Sequence, residues 1–262
     1  MDEADGVAIA DLVDERRYLL DVACRMLGGA GEAERVVDEV YRLWYGLSDE
    51  ARRQIVRPRS WLAETAGRSC RSRLAGTGQD ACPAESGDGG TEQGDGGPAP
   101  ESAGSETLAP HQRRETVPIR QPRPIASREQ DAVVRAVGRA CRDGDGELLA
   151  SLLCTGATAY VDGGGRIRAP DRPVHGGRQV ARTLLTLLAD RPRTTVSAQS
   201  VNGRTGLVVR YEHRVAAVVC LGVTDHGVAQ VWVILNPDKL RSWNRPPGPP
   251  AHGSVNPGTP RP

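Results

Sequence analysis

Apolar residues recur along this chain in two rhythms, a helical one in the first third and an alternating one towards the end. From Ala33 to Trp44 the positions Ala33, Val36, Val37, Val40, Tyr41 and Trp44 follow the i, i+3, i+4, i+7 rule, while Glu32, Glu34, Arg35, Asp38, Glu39 and Arg42 take the other faces. This spacing predicts an amphipathic helix with an acidic exposed stripe. Before it, Leu12, Leu19, Leu20, Val22, Ala23, Met26 and Leu27 predict a helix over 11–27 that stops at Gly28-Gly29. After a loop ending in Pro58, a third helix turns Trp61, Leu62, Thr65, Ala66, Ser69 and Cys70 inward and leaves Arg68, Arg71 and Arg73 outside.

The second rhythm starts beyond Ser127. Val133, Val134, Ala136, Val137, Ala140 and Cys141 mark one helix, and a second, short one runs to Cys154 after the Asp143-Gly144-Asp145-Gly146 turn. TAYVDGGGRIRAP then predicts a hairpin about Asp162-Gly163-Gly164-Gly165. A helix through Val180, Leu184, Leu185, Leu187 and Leu188 follows. Four alternating or apolar runs, TTVSAQSVNG, TGLVVRYEHR, VAAVVCLGVTD and VAQVWVILN, predict antiparallel strands joined at Asn-Gly and Asp-His-Gly turns. Helices first and strands afterwards make this half an α+β domain, and the whole chain an α+β multidomain protein.

Between the halves, residues 76–108 are rich in Gly, Pro and Ser, with seven acidic residues, no Lys or Arg, and almost nothing apolar to bury. Such a composition predicts a disordered linker, which divides the chain into a helical domain at 1–75, a linker at 76–126, an α+β domain at 127–243 and a Pro/Gly-rich disordered tail at 244–262. Charge is unequal within the first domain. Residues 1–50 hold thirteen Asp/Glu against five Arg, and residues 51–75 seven Arg against one Glu, so one end suits a basic protein and the other phosphate. Charged faces that are merely solvated remain the alternative.

Six scattered cysteines, with no CxxC pair and no Cys/His cluster, signal neither zinc nor a disulfide framework. No cofactor is expected. The acidic N-terminus is unlike a signal peptide, and no apolar run reaches the roughly 18 to 20 residues of a membrane span. The expectation is a cytoplasmic protein with no membrane partner.

RMLGGAGEAERVVDEVYRLW followed by RPRSWLAETAGRSCRSRL resembles region 2 of extracytoplasmic-function sigma factors. By position, that resemblance implies that Glu34, Asp38 and Glu39 dock on the beta-prime subunit of core RNA polymerase. It further implies that Arg57, Arg59, Arg68, Arg71 and Arg73 contact promoter phosphates at the minus-10 element, with Trp61 close to the melted strand. Packing of Trp61 against Leu62 and Val56 would explain that residue as well.

The order of elements in the second domain is similar to the SnoaL-like, cone-shaped α+β fold, and DGGGR at 162–166 with NPDKL at 236–240 matches sigma factors carrying a fused SnoaL-like tail. The resemblance implies contacts between the tail and the sigma-like domain at Asp162, Arg166, Asn236, Pro237, Asp238 and Lys239. A turn and a strand terminator are the plainer readings of these motifs. No minus-35-reading helix-turn-helix follows the first domain, so promoter DNA binding is expected to be weak and limited to the minus-10 element.

A transcription-initiation regulator without enzymatic activity is therefore the expected function. Two alternatives stay open: a polymerase-binding co-regulator that does not recognise promoters, and a SnoaL-like protein that binds a small ligand or acts as an isomerase, with His175, Tyr160 and Asp162 as its candidate groups.

Overall fold

The computed structural model describes residues 7–77 and 127–245. Most of the Gly/Pro linker and the tail past Arg245 lie outside the described residues.

The first domain is a bundle of α1 (Ile9–Leu27), α2 (Ala30–Gly46), α3 (Asp49–Gln54) and α4 (Pro58–Thr77). All six apolar positions predicted for α2 are buried. Leu19 and Ala23 of α1 and Leu62, Ala66 and Cys70 of α4 meet them in one apolar cluster, with Trp61 half-buried at its edge. Helix α3 falls where the sequence predicted only a loop. It carries no buried residue, and its start rests on Ser48, whose hydroxyl accepts from the Ala51 backbone N–H at 3.2 Å, with Asp49 and Glu50 in the first turn. Local capping, which leaves no apolar period, formed this turn.

The second domain opens with α5 (Ser127–Asp143) and α6 (Gly146–Leu152), followed by β1 (Leu153–Asp162), β2 (Val174–His175), α7 (Gly177–Leu187), β3 (Thr194–Val201), β4 (Arg204–Tyr211), β5 (Arg214–Thr224) and β6 (Gly227–Ile234). Its single six-stranded sheet has the order β2-β1-β6-β5-β4-β3. The predicted meander β3–β6 is present. Asn202 and Gly203 turn β3 into β4 with φ of 51° and 78°, positive at both central residues as a type I′ turn demands.

The hairpin predicted about Asp162 is not formed as expected. β1 pairs in parallel with β6, Tyr160 opposite Trp232 and Asp162 opposite Ile234, and only two residues of β2 pair with it antiparallel. The reason is length: after the Gly163–Arg166 turn the chain runs on through 167–173 as an irregular strap, so the return strand begins only at Val174.

Helices α5, α6 and α7 cover one face of the sheet around Val134, Leu149, Leu184, Leu207, Val219 and Val231. On the opposite face, Leu240 and Trp243 from the turn after β6 lie over Val201, Val208, Val215 and Val218. The first three buried apolar residues of α1 do not belong to their own bundle. Ile9, Ala10 and Leu12 are buried in the core of the second domain, so α1 is shared, its first turns in one core and its later turns in the other.

Candidate functional site

The two domains meet along α1, α2, α3, Arg166 and the 167–173 strap. Arg166 lies at the centre of the predicted contact: its Nη1 stands 3.1 Å from an Asp38 carboxylate oxygen on α2, and its Nε 2.9 Å from Asp238. The remaining motif residues bond mainly to one another. Asp162 accepts from Lys239 Nζ at 2.7 Å and from the Gly164 backbone N–H at 2.9 Å, while its carbonyl accepts from the N–H groups of Leu235 and Asn236. Asn236 Oδ1 accepts from the Asp238 N–H, with Pro237 between them. Gly164, at φ 62°, lies so close that a Cβ there would come within 2.2 Å of the Asn236 amide. The two motifs thus form one stiff unit with Arg166 directed at α2.

On α2, Glu34 is exposed and Asp38 half-buried; Asp38 Oδ1 is buried without a hydrogen bond. Glu39 points across the bundle, accepting from Arg73 of α4 at 2.8 Å. Arg73 also donates to Glu32 at 2.9 Å, and its hydrogen bond to Glu39 holds the guanidinium more firmly protonated than usual. One candidate polymerase contact and one candidate phosphate contact therefore neutralise each other in this structure. Of the other arginines, Arg57, Arg68 and Arg71 are exposed, Arg68 donating to Thr65 Oγ1, and Arg59 lies over the Tyr18 ring at 5.3 Å. Arg68 and Arg71 line a shallow depression of about 400 Å³ with Ala63, Glu64 and Gly67. Trp61 packs edge-on against Trp44 at 5.5 Å between ring centroids.

A larger set of interdomain contacts involves residues that the periodicity did not single out. Arg168 pairs with Glu15 of α1 at 3.2 Å, their side chains 12% and 3% exposed. Tyr45 donates to the Ile167 carbonyl at 2.7 Å and accepts from the Ala169 N–H at 2.9 Å. Burial pushes its phenol pKa up. Arg52 reaches Asp171 and Arg172 reaches Asp49, the latter carboxyl held below the usual range first by Arg52. On the same N-terminal half of α1, Asp11 meets Arg191, and Asp14 accepts from Tyr211, whose pKa rises through that hydrogen bond. Arg17 pairs with Glu212 at 2.7 Å and, with Arg193, depresses its pKa. One sequence signal for this set was available. Glu15 sits three residues after Leu12 and four before Leu19, inside the apolar stripe, and a carboxylate there needs a partner.

The alternative catalytic groups stand on the outer, helix-free side of the sheet. His175 Nδ1 is 3.2 Å from Thr158 Oγ1, Tyr160 stacks on Trp232 at 6.1 Å, and Asp162 is engaged by Lys239. Among the described residues, no three His, Cys, Asp or Glu converge as metal ligands, and no helix is long and apolar enough to cross a membrane.

No family model matches this chain, and no curated protein matches it. Among solved structures, it is similar to the extracytoplasmic function sigma factor SigJ of Mycobacterium tuberculosis, with 22% identity, 89% of this chain and 98% of that chain covered, and a TM-score of 0.36. It is also similar to a putative ketosteroid isomerase from Kribbella flavida (13% identity, 52% and 93% covered, TM-score 0.33). A third is an NTF2-like protein of unknown function from Cytophaga hutchinsonii (12% identity, 45% and 96% covered, TM-score 0.31).

Proposed function

We propose that this chain regulates transcription initiation as a sigma-like protein. It engages the beta-prime subunit of core RNA polymerase through Glu34, Asp38 and Glu39 of α2, and minus-10 promoter DNA through Arg57, Arg59, Trp61, Arg68, Arg71 and Arg73 around α4. The second domain tunes both by holding the bundle. What supports this reading is a single arrangement: α2 carries exposed Glu34 and half-buried Asp38, α4 and the loop before it carry exposed Arg57, Arg68 and Arg71, and the second domain's Arg166 pairs with Asp38. The chemistry fits, because melted DNA calls for cations at phosphates and for aromatic or pocket contacts to unstacked bases. We propose regulation rather than catalysis, and a cytoplasmic setting. Small-ligand binding by the second domain is a separate proposal.

A second reading, a polymerase-binding co-regulator without promoter recognition, is favoured by the Glu39–Arg73 pair, which removes one cation from the DNA side. Permanganate footprinting of a minus-10 promoter with core polymerase and the chain separates the two. Reactive thymines that disappear when Arg68 and Arg71 are changed to Glu support the sigma-like reading; a closed promoter in the presence of bound protein supports the second.

A further inference from the structure

Among the described ion pairs between the domains, the most buried, Arg168–Glu15, ends at the aromatic pair that includes Trp61. Arg168 enters the bundle from the strap, and both flanking peptide groups are fixed by the Tyr45 hydroxyl, which bonds Ile167 and Ala169. Its side chain therefore starts from a pinned backbone. The guanidinium donates through Nε and Nη2 to Glu15 at 3.2 to 3.4 Å, and Glu15 is within 3.5 Å of the Tyr41 hydroxyl. The same guanidinium lies 5.9 Å from the centroid of the Trp44 ring, within cation–π range. Trp44 is buried and meets Trp61 edge-on, with 61° between their planes.

A cation over one face of Trp44 favours some tilts of that ring over others, and Trp61 touches the ring edge-on, so its orientation is open to the same bias. Glu15 raises the cost of partial release. When the strap lifts away, a buried carboxylate loses its counter-charge and water must enter beside Trp44. We propose that Arg168 is a positioning residue through which the second domain sets the orientation of Trp61, so that docking of that domain controls the nucleic-acid contact made there. The assignment of Trp61 to DNA rests on the proposed function; the coupling of Arg168 to Trp61 does not.

The test labels the full chain with 5-fluorotryptophan, whose four ¹⁹F signals report Trp44, Trp61, Trp232 and Trp243. Assignment comes from single Trp→Phe variants. In Arg168→Met the signals of Trp44 and Trp61 move while those of Trp232 and Trp243 stay, and Arg168→Lys moves them less. Glu15→Met with Arg168→Met replaces the pair by apolar side chains, which keeps the interface folded, and the two signals remain displaced because the cation is gone. In parallel, Arg168→Met changes the affinity for a single-stranded minus-10 oligonucleotide by about fivefold or more, the lower end of ordinary coupling between sites.

A Trp61 signal that stays in place while that of Trp44 moves overturns the proposal, and so does an unchanged oligonucleotide affinity in a variant whose Trp61 signal has moved. If the unaltered chain binds no oligonucleotide, the DNA assignment and the control built on it fall. The fluorine signals then decide the positioning role alone.

Discussion

Two arginines, Arg166 at the turn before the strap and Arg168 within it, stand two residues apart and face the same bundle, yet they rest on different physics. Arg166 is 31% exposed and shares its charge between Asp38 and Asp238, themselves partly open to water. Solvent screening reduces the worth of such a pair to about 0.2 to 1 kcal/mol. Arg168 is tucked beneath the interface against a carboxylate with almost no exposure. The attraction there offsets a large desolvation cost, and losing one partner strands the other. The residue in the recognisable motif is thus the exchangeable contact, whereas the inconspicuous one holds the interface. A contact that must let go of α2 for a partner benefits from being shallow.

The largest effect expected from this comparison follows Arg168→Ala, which leaves Glu15 as a buried, uncompensated charge and costs about 3 to 5 kcal/mol of stability in urea unfolding. A cost below 1 kcal/mol would place Arg168 with the surface pairs. Next comes Gly164→Ala. A side chain at φ 62° is strained, and its Cβ collides with Asn236, so about 1 to 3 kcal/mol is lost and the Arg166 support loosens. Arg166→Ala itself changes stability by about 0.2 to 1 kcal/mol, read in the same unfolding series, and leaves the melting profile otherwise intact.

The smallest effect is on pH. Glu212 and Asp49 both titrate below their ordinary values of 4.5 and 3.8, Glu212 first through Arg17 of the opposite domain, Asp49 first through Arg52 of its own helix and then through Arg172 of the opposite domain. Depressed carboxylates stabilise the docked form above their unpaired pKa values, and this support is lost as the pH falls through the docked values. Docking, followed by the distance between fluorophores on the two domains, should therefore be level from pH 7 to about 5 and weaken below about 4.5. Glu212→Gln with Asp49→Asn should flatten that decline.

How much of this could be read from the chain depended on whether the determinant was local. Helix α2 was legible because six apolar residues share one buried face, and β3 to β6 because each strand pairs with its sequence neighbour through short turns. The pairing of β1 with β6 was not, since the strands are separated by more than sixty residues and a parallel ladder leaves no turn signal. The dual allegiance of α1 was hidden for a related reason. Leu12 and Leu19 belong to one continuous stripe, and periodicity cannot say that a different core covers each. Among the candidate contacts, Arg166 was visible through its motif; the Glu39–Arg73 pair was not, because the two residues were assigned to different partners and their meeting depends on how α2 packs against α4. Arg168 was not, because its role depends on a carboxylate more than 150 positions away.

Capture of core RNA polymerase by the full chain, compared with the same chain carrying Asp38→Lys and Glu39→Lys, tests the central claim most directly. A sigma-like chain captures polymerase when unaltered and loses it on charge reversal, with circular dichroism showing the bundle still folded. No capture, or capture indifferent to the reversal, would contradict that claim.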